Sequence, residues 1–179
     1  MPSERLPQLL MRCAYLRDLD AEPLPEPLQL REASAADERA LAELLSAAFD
    51  ANWTAEDVAR SLTRCPLVHG VYVIEQDGRL LATASARLDP ERFPSEGYLH
   101  WVAAHPQARG MRLGRAVSIQ VLQRFRDLGC RSAVLETDDH RLPAIKTYLG
   151  LGFQPVLRHP RDAERWAAVL AHVHRIGER

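Results

Sequence analysis

The stretch His105-Pro-Gln-Ala-Arg-Gly-Met-Arg-Leu-Gly-Arg115 constrains this chain more than any other part of it. An apolar run, Tyr98 to Ala104, leads into it. A helical pattern (Leu113, Ala116, Val117, Ile119, Leu122, Phe125, Leu128) leads out of it. A buried strand therefore feeds a turn, and the turn opens a long helix. Such a junction aims several backbone N–H groups and the positive end of a helix dipole at one spot. That spot suits an anion, a phosphate or pyrophosphate above all. Three arginines, Arg109, Arg112 and Arg115, crowd it. Taken alone, the stretch reads equally as a plain strand–loop–helix connection with a solvated basic face. Neither the P-loop spacing nor the dinucleotide Gly-x-Gly-x-x-Gly spacing occurs.

The chain has 179 residues, about one domain's worth, and its 46% hydrophobic content can fill one core. A formal net charge of -1 argues against a globally basic nucleic-acid binder. No apolar run is long enough to span a membrane, and Leu9-Leu10-Met11, broken by Arg12, is too short for a secretory signal. Cys13, Cys65 and Cys130 are scattered and odd in number, which predicts a reducing cytoplasm and no disulfide framework. Cys130 reads as a buried structural thiol rather than an acyl carrier. No Cys/His set has metal-ligand spacing, so no metal is expected.

Residues 1–27 read as an appendage to a domain spanning 28–179. Within it, Leu6 to Leu19 suits a short helix or a packing arm. Glu22-Pro-Leu-Pro-Glu-Pro27 suits an extended linker. Strands are predicted at Leu28–Arg31, Val71–Glu75, Arg79–Arg87, the apolar run, Ser132–Thr137 and Gln154–Leu157. Gln76-Asp-Gly78 makes a hairpin turn between the second and third. Helices are predicted after Ser34 or Asp37, after the Thr54-x-x-Asp57 capping box, over the long periodic segment that Gly129 stops, over Leu142–Leu149 and over Asp162–Val173. This order implies an α/β (α+β) fold: a mixed sheet with helices on both faces.

A second constellation follows the long helix. Thr137-Asp-Asp-His140 ends a strand, and Ala144-x-x-x-Tyr148-x-x-x-Gly152-Phe153 spans the next helix and the turn after it. Together with the Arg109–Gly114 turn, this resembles the GNAT superfamily of acyl-CoA-dependent N-acetyltransferases over roughly Leu28 to Leu157. The family's turn reads Gln/Arg-x-x-Gly-x-Gly/Ala. Arg109 and Gly114 match its ends, whereas Arg112 stands at the middle glycine. Arg112 can still offer its N–H to a pyrophosphate if its backbone stays helical.

The resemblance implies a mostly antiparallel central sheet whose splayed strands form an acetyl-CoA cleft. It implies pantetheine paired along the strand before the turn, at Val102 and Ala104. The pyrophosphate would lie over Arg109, Gly110, Met111, Arg112, Leu113, Gly114 and Arg115. Tyr148 would be the general acid, against a plain packing role. Acetyl transfer to an alkyl amine of pKa ~10.4 costs about 4–5 kcal/mol to free the lone pair at pH 7. His100, beside the expected thioester, is the candidate base, with Glu96 in reserve; a core histidine is the plain alternative. Phe49, Trp53, Asp138, Asp139 and His140 are expected to wall the acceptor, although an aspartate there also suits helix capping. The implied function is acetyl transfer from acetyl-CoA to a small-molecule amine, with no metal, nucleic acid or membrane partner, by a monomer or homodimer. A protein-amine acetyltransferase and a non-catalytic acyl-CoA-binding regulatory module are the alternatives.

Overall fold

The computed structural model describes residues 6–21 and 23–177. Residues 1–5 of the expected arm, Glu22 of the linker and the last two residues of the expected domain lie outside them. Seven strands form one sheet: β1 (Leu9–Cys13), β2 (Gln29–Glu32), β3 (Val68–Gln76), β4 (Arg79–Leu88), β5 (Gly97–Ala104), β6 (Ala133–Thr137) and β7 (Gln154–Val156). Their spatial order is β2-β3-β4-β5-β6-β1-β7. Every pairing is antiparallel except β5 with β6.

Helices cover both faces, as the residue pattern predicts. Along β3, Val71 and Val73 point to one side and Tyr72 and Ile74 to the other, the two-residue alternation of a strand. The first side packs on α1 (Glu38–Phe49) through Leu41, Leu44 and Leu45, and on α2 (Ala55–Val58) through Val58. The Thr54–Asp57 capping box starts α2, which continues as a wider π-type turn through Thr63. The second side packs on α3 (Leu113–Asp127), with α4 (Leu142–Gly150) and α5 (Asp162–Gly177) extending the same core. Gly97 permits the close approach of α3: a Cβ there would lie 2.3 Å from the Phe125 ring. The three cysteines are free thiols. Among the described residues no helix is long and apolar enough to cross a membrane.

The N-terminal segment forms no helix; it packs on the domain as a strand. Leu9–Cys13 is a strand inserted between β6 and β7, bonded on both edges. Leu9, Met11 and Cys13 join the main core, while Leu10 packs with Phe93, Tyr98 and Val134 on the other side. Three consecutive apolar residues cannot choose a period by themselves; a slot with ladder partners on both edges chooses it for them. The expected boundary at Leu28 therefore does not divide the sheet. The linker back to β2 is tied down by Leu16 N donating to Arg131 O (2.9 Å) and Gln123 Nε2 donating to Leu19 O (2.8 Å).

Candidate active site

Two local irregularities create a cleft in the middle of the sheet. The first is the short reach of the parallel β5–β6 ladder, which pairs Gly97 with Ala133 and Tyr98 with Val134 and then ends. From Leu99 onward, β5 and β6 diverge. The second is a bulge. On β4, only Ala84 lies between Thr83 and Ser85, whereas Trp101 and Val102 lie between their partners His100 and Ala103. Trp101 takes φ +48, a left-handed conformation that costs on the order of 1–3 kcal/mol for a bulky side chain. Ser85 Oγ supports the bulge by donating to His100 O at 2.9 Å. A bulge beside a splayed strand re-aims the backbone into the gap, as bulges next to active sites do.

The cleft has two halves. One, about 530 Å³, is lined by Val102, Ala104, Arg109, Gly110, Arg112, Leu113, Gly114, Arg115 and Tyr148. These are residues expected at the cofactor, and they share the lining with others that include Asp50, His140, Pro143 and Thr147. The N–H groups of Leu113 and Gly114 open α3 and have no carbonyl one turn back within the helix. A Cβ added to Gly110 or Gly114 would meet nothing within 4 Å, so both glycines border open space. A pyrophosphate fits this cradle of bare backbone, helix dipole and guanidinium groups. Two residues of the turn depart from the simplest picture. Met111 is not part of the lining: its side chain is 44% exposed and its N–H donates to Ala108 O at 3.3 Å within the turn. The Arg112 backbone is not right-handed helical. It takes φ 58, ψ 18, the conformation that a glycine at this position adopts without strain.

The other half, about 650 Å³, is lined by Phe49, Trp53, His100, Asp138 and Tyr148, as expected, together with Leu6–Gln8, Tyr98, Trp101, Glu136 and Arg141. Trp101 forms the hub of an aromatic wall, edge-on to Phe49 (5.4 Å) and to Trp53 (4.6 Å). Arg141 stacks over Phe49 at 4.5 Å and donates from Nε to Asp138 Oδ2 at 3.0 Å. Phe49, Val102, Arg141, Ala144 and Tyr148 line both halves, which therefore meet at these residues.

Two residues expected at the acceptor, and the reserve base, lie elsewhere. Asp139 turns away: Arg165 of α5 donates to both of its oxygens, at 3.0 and 2.6 Å, and holds its carboxyl below the ordinary range. His140 lines the other half, with Arg109 and Arg115. Glu96 lies at the closed end of β5, gripped by Arg12 (2.9 and 2.5 Å) and Ser132 (2.9 Å), and lines neither half of the cleft. One carboxylate escaped the sequence reading. Glu136 on β6 is two residues before Asp138, which directly follows the strand, and strand alternation continued by one residue places both on one face. No comparable signal marks Arg141 or Leu6–Gln8.

Electrostatics separate the groups. Burial, reinforced by Arg87 and Arg92, pushes the His100 imidazole down to about 3, and its Nδ1 is buried without a hydrogen-bond partner. Burial would raise the Glu136 carboxyl, but hydrogen bonds from Arg92, Arg158 and Tyr98 outweigh it and hold the group below its ordinary value. Burial raises the Tyr148 hydroxyl well above its usual range, so it keeps its proton.

Comparison with known proteins agrees with this geometry. Residues 38–153 match the model of the acetyltransferase (GNAT) family. The chain is 32% identical over 102 residues to a mycothiol acetyltransferase of Thermomonospora curvata, covering 56% of this chain and 33% of that protein. It is 30% identical over 172 residues to a mycothiol acetyltransferase of Geodermatophilus obscurus, covering 89% of this chain and 55% of that one. The chain thus spans between a third and just over half of these relatives. Among solved structures, AAC(6')-Iy in complex with a CoA bisubstrate analogue superposes with a TM-score of 0.62 at 16% identity, over 74% of this chain and 94% of that one. At that identity the likeness is one of fold.

Proposed function

Because this chain belongs to the GNAT acetyltransferase family, we propose that it moves an acetyl group from acetyl-CoA to a primary amine of a small molecule. One observation carries the reading: the two halves of the cleft meet at Tyr148 and Val102, so donor and acceptor open onto the same tyrosine and the same stretch of bulged backbone. Leu6–Gln8 on one side and Phe49–Trp53 on the other wall the acceptor half, which favours a small molecule over a protein tail. The relatives' name, mycothiol acetyltransferase, points the same way.

Acetyl-CoA supplies the activated acyl group. The freed edge of β5, Leu99 to Ala104, offers main-chain groups along which pantetheine lies, and the N–H groups near the bulge stabilise charge that develops on the acyl oxygen. Arg109, Arg115 and the start of α3 hold the phosphates. Tyr148 donates a hydrogen bond to the departing sulfur. Full proton transfer from a raised phenol to a thiolate of pKa ~8.5 is uphill, so the sulfur's final proton comes from the acetylated nitrogen. His100 faces the acceptor, but not as a strong base. Drawing a proton from an alkyl ammonium of pKa ~10.4 onto an imidazole near 3 is uphill by ~10 kcal/mol. The neutral imidazole instead accepts a hydrogen bond from an amine that has already lost its proton to water.

A free-thiol release assay with acetyl-CoA and a panel of amino acids, polyamines, aminoglycosides, aryl-alkyl amines and short peptides tests the reading. Turnover of a small amine supports it. Preference for peptides by an order of magnitude in kcat/KM moves the acceptor to proteins. CoA binding by calorimetry with no thiol released makes the chain a binding module.

A further inference from the structure

The family match begins at Glu38, yet a wall of the acceptor half comes from residues well before it. The β1–β6 register pairs Leu9 with Thr137, so the next pair outward sets Gln8 against Asp138. Gln8 Nε2 donates to Asp138 Oδ1 at 3.1 Å. The Gln8 carbonyl accepts from Arg158 Nη2 at 2.8 Å, and the same Nη2 reaches Glu136 Oε1 at 2.5 Å. Both carboxylates of the acceptor half are therefore tied to one residue: Asp138 through its side chain, and Glu136 through its main chain by way of Arg158. Leu6 and Pro7 line the same chamber. The burial of β1 fixes this segment in place, since Leu9 and Met11 are fully buried just beyond it.

We propose that Leu6–Gln8 is a specificity-determining wall of the acceptor site, and that Gln8 is a positioning residue that aims Asp138 at the acceptor. Each carboxylate oxygen of Asp138 accepts one protein hydrogen bond, from Gln8 or Arg141, and has a second lone pair for a substrate donor. The chemistry recognised is a hydroxyl or second ammonium group on the amine, set against the Trp53–Trp101 wall. The segment lies outside the family match and does not line the half around Arg109–Arg115, so substitutions here leave the cofactor half in place. The inference rests on the acetyltransferase reading above.

Gln8→Leu and Gln8→Glu variants test it, assayed with the amine panel supplemented by the small-molecule fraction of a bacterial extract. Gln8→Leu should raise the KM of the best acceptor at least fivefold with kcat within twofold. Gln8→Glu should shift preference toward spermidine over tyramine by at least tenfold. Neither should change the KM of acetyl-CoA more than twofold, which also reports an intact fold. Variants that match the wild type in acceptor KM and ranking overturn the proposal and leave the acetyltransferase reading standing. A wild type that binds CoA and releases no thiol with any acceptor overturns that reading and this proposal with it.

Discussion

The two halves of the cleft are made of different materials. The cofactor half is mostly backbone: a freed strand edge, a bulge, and the first turn of α3 beside two glycines bordering open space. About half of its lining lies in one continuous stretch, Val102 to Arg115, and the rest comes from the end of α1 and from α4 with the two residues before it. The acceptor half is mostly side chains, brought from residues 6–8, the segment after α1, β5, and the end of β6. A backbone site has little freedom to vary, because its donors come from geometry shared by every residue type. A side-chain site is rewritten by single substitutions. One fold can thus keep one cofactor while changing acceptors.

The strongest way to break this comparison is to fill the backbone cradle. Gly114→Glu adds a side chain and a negative charge where nothing stands within 4 Å, so the fold has room for it and helix propensity favours it. CoA affinity should fall roughly 10³-fold, about 4 kcal/mol, with thermal stability unchanged or slightly higher. Retained affinity by calorimetry would mean that the phosphates do not sit on α3. Next in size is the junction. Tyr148→Phe removes the hydrogen bond to the departing sulfur and should lower kcat roughly 10²-fold, leaving the KM of acetyl-CoA within threefold. Turnover unchanged by the substitution would reduce Tyr148 to packing against Phe153.

The same division explains what the sequence made legible. The strand–turn–helix, its periodicity and its arginines lie in one run, so local pattern predicts most of the cofactor half. Failures there were local as well: Met111 turns to solvent, and Arg112 adopts the glycine conformation instead of a helical one. The acceptor half depends on tertiary contacts that leave no local mark. Asp139 and Asp138 are neighbours in the chain, yet Arg165 claims one and Gln8 with Arg141 claims the other. The choice is made 26 residues downstream for the first and 130 upstream for the second. β1 was equally hidden. Its five residues carry no turn or cap signal, and only the gap between β6 and β7 makes them a strand. Glu136 is the exception: two-residue alternation along β6 puts it on the same face as Asp138.

A smaller effect tests whether acid sensitivity concentrates in the acceptor half. The folded pKa of His100, about 3, lies below its unfolded value of ~6.5. Its contribution to stability is therefore fully present above pH ~6.5 and is lost as pH falls toward 3, because only the unfolded chain takes up the proton. Between pH 7.5 and 5.5 this amounts to about 1.4 kcal/mol. In urea unfolding, the wild type should lose that much more stability over this interval than His100→Phe, whose ring keeps the contacts with Tyr98 and Trp101. Equal losses would mean that solvent reaches His100 freely. Acetyl transfer should correspondingly show no inflection near pH 6.5. Its rise should follow the pKa of the acceptor amine.

The smallest expected change probes the cofactor half from the opposite direction. Arg112 stands where the family has glycine, and its left-handed backbone costs on the order of 1–2 kcal/mol. Arg112→Gly relieves that cost but returns about 0.5–1 kcal/mol of it as chain entropy in the unfolded state, so net stability should move by less than 1 kcal/mol. The informative quantity is CoA affinity. If the phosphates are held by backbone N–H groups and the dipole of α3, with Arg109 and Arg115 beside them, loss of one guanidinium should change the Kd less than threefold at 0.15 M salt. A drop of tenfold or more, strongly salt-dependent, would show that this chain has replaced the family's close backbone approach with a side-chain clamp at Arg112. The two halves would then differ in degree rather than in kind.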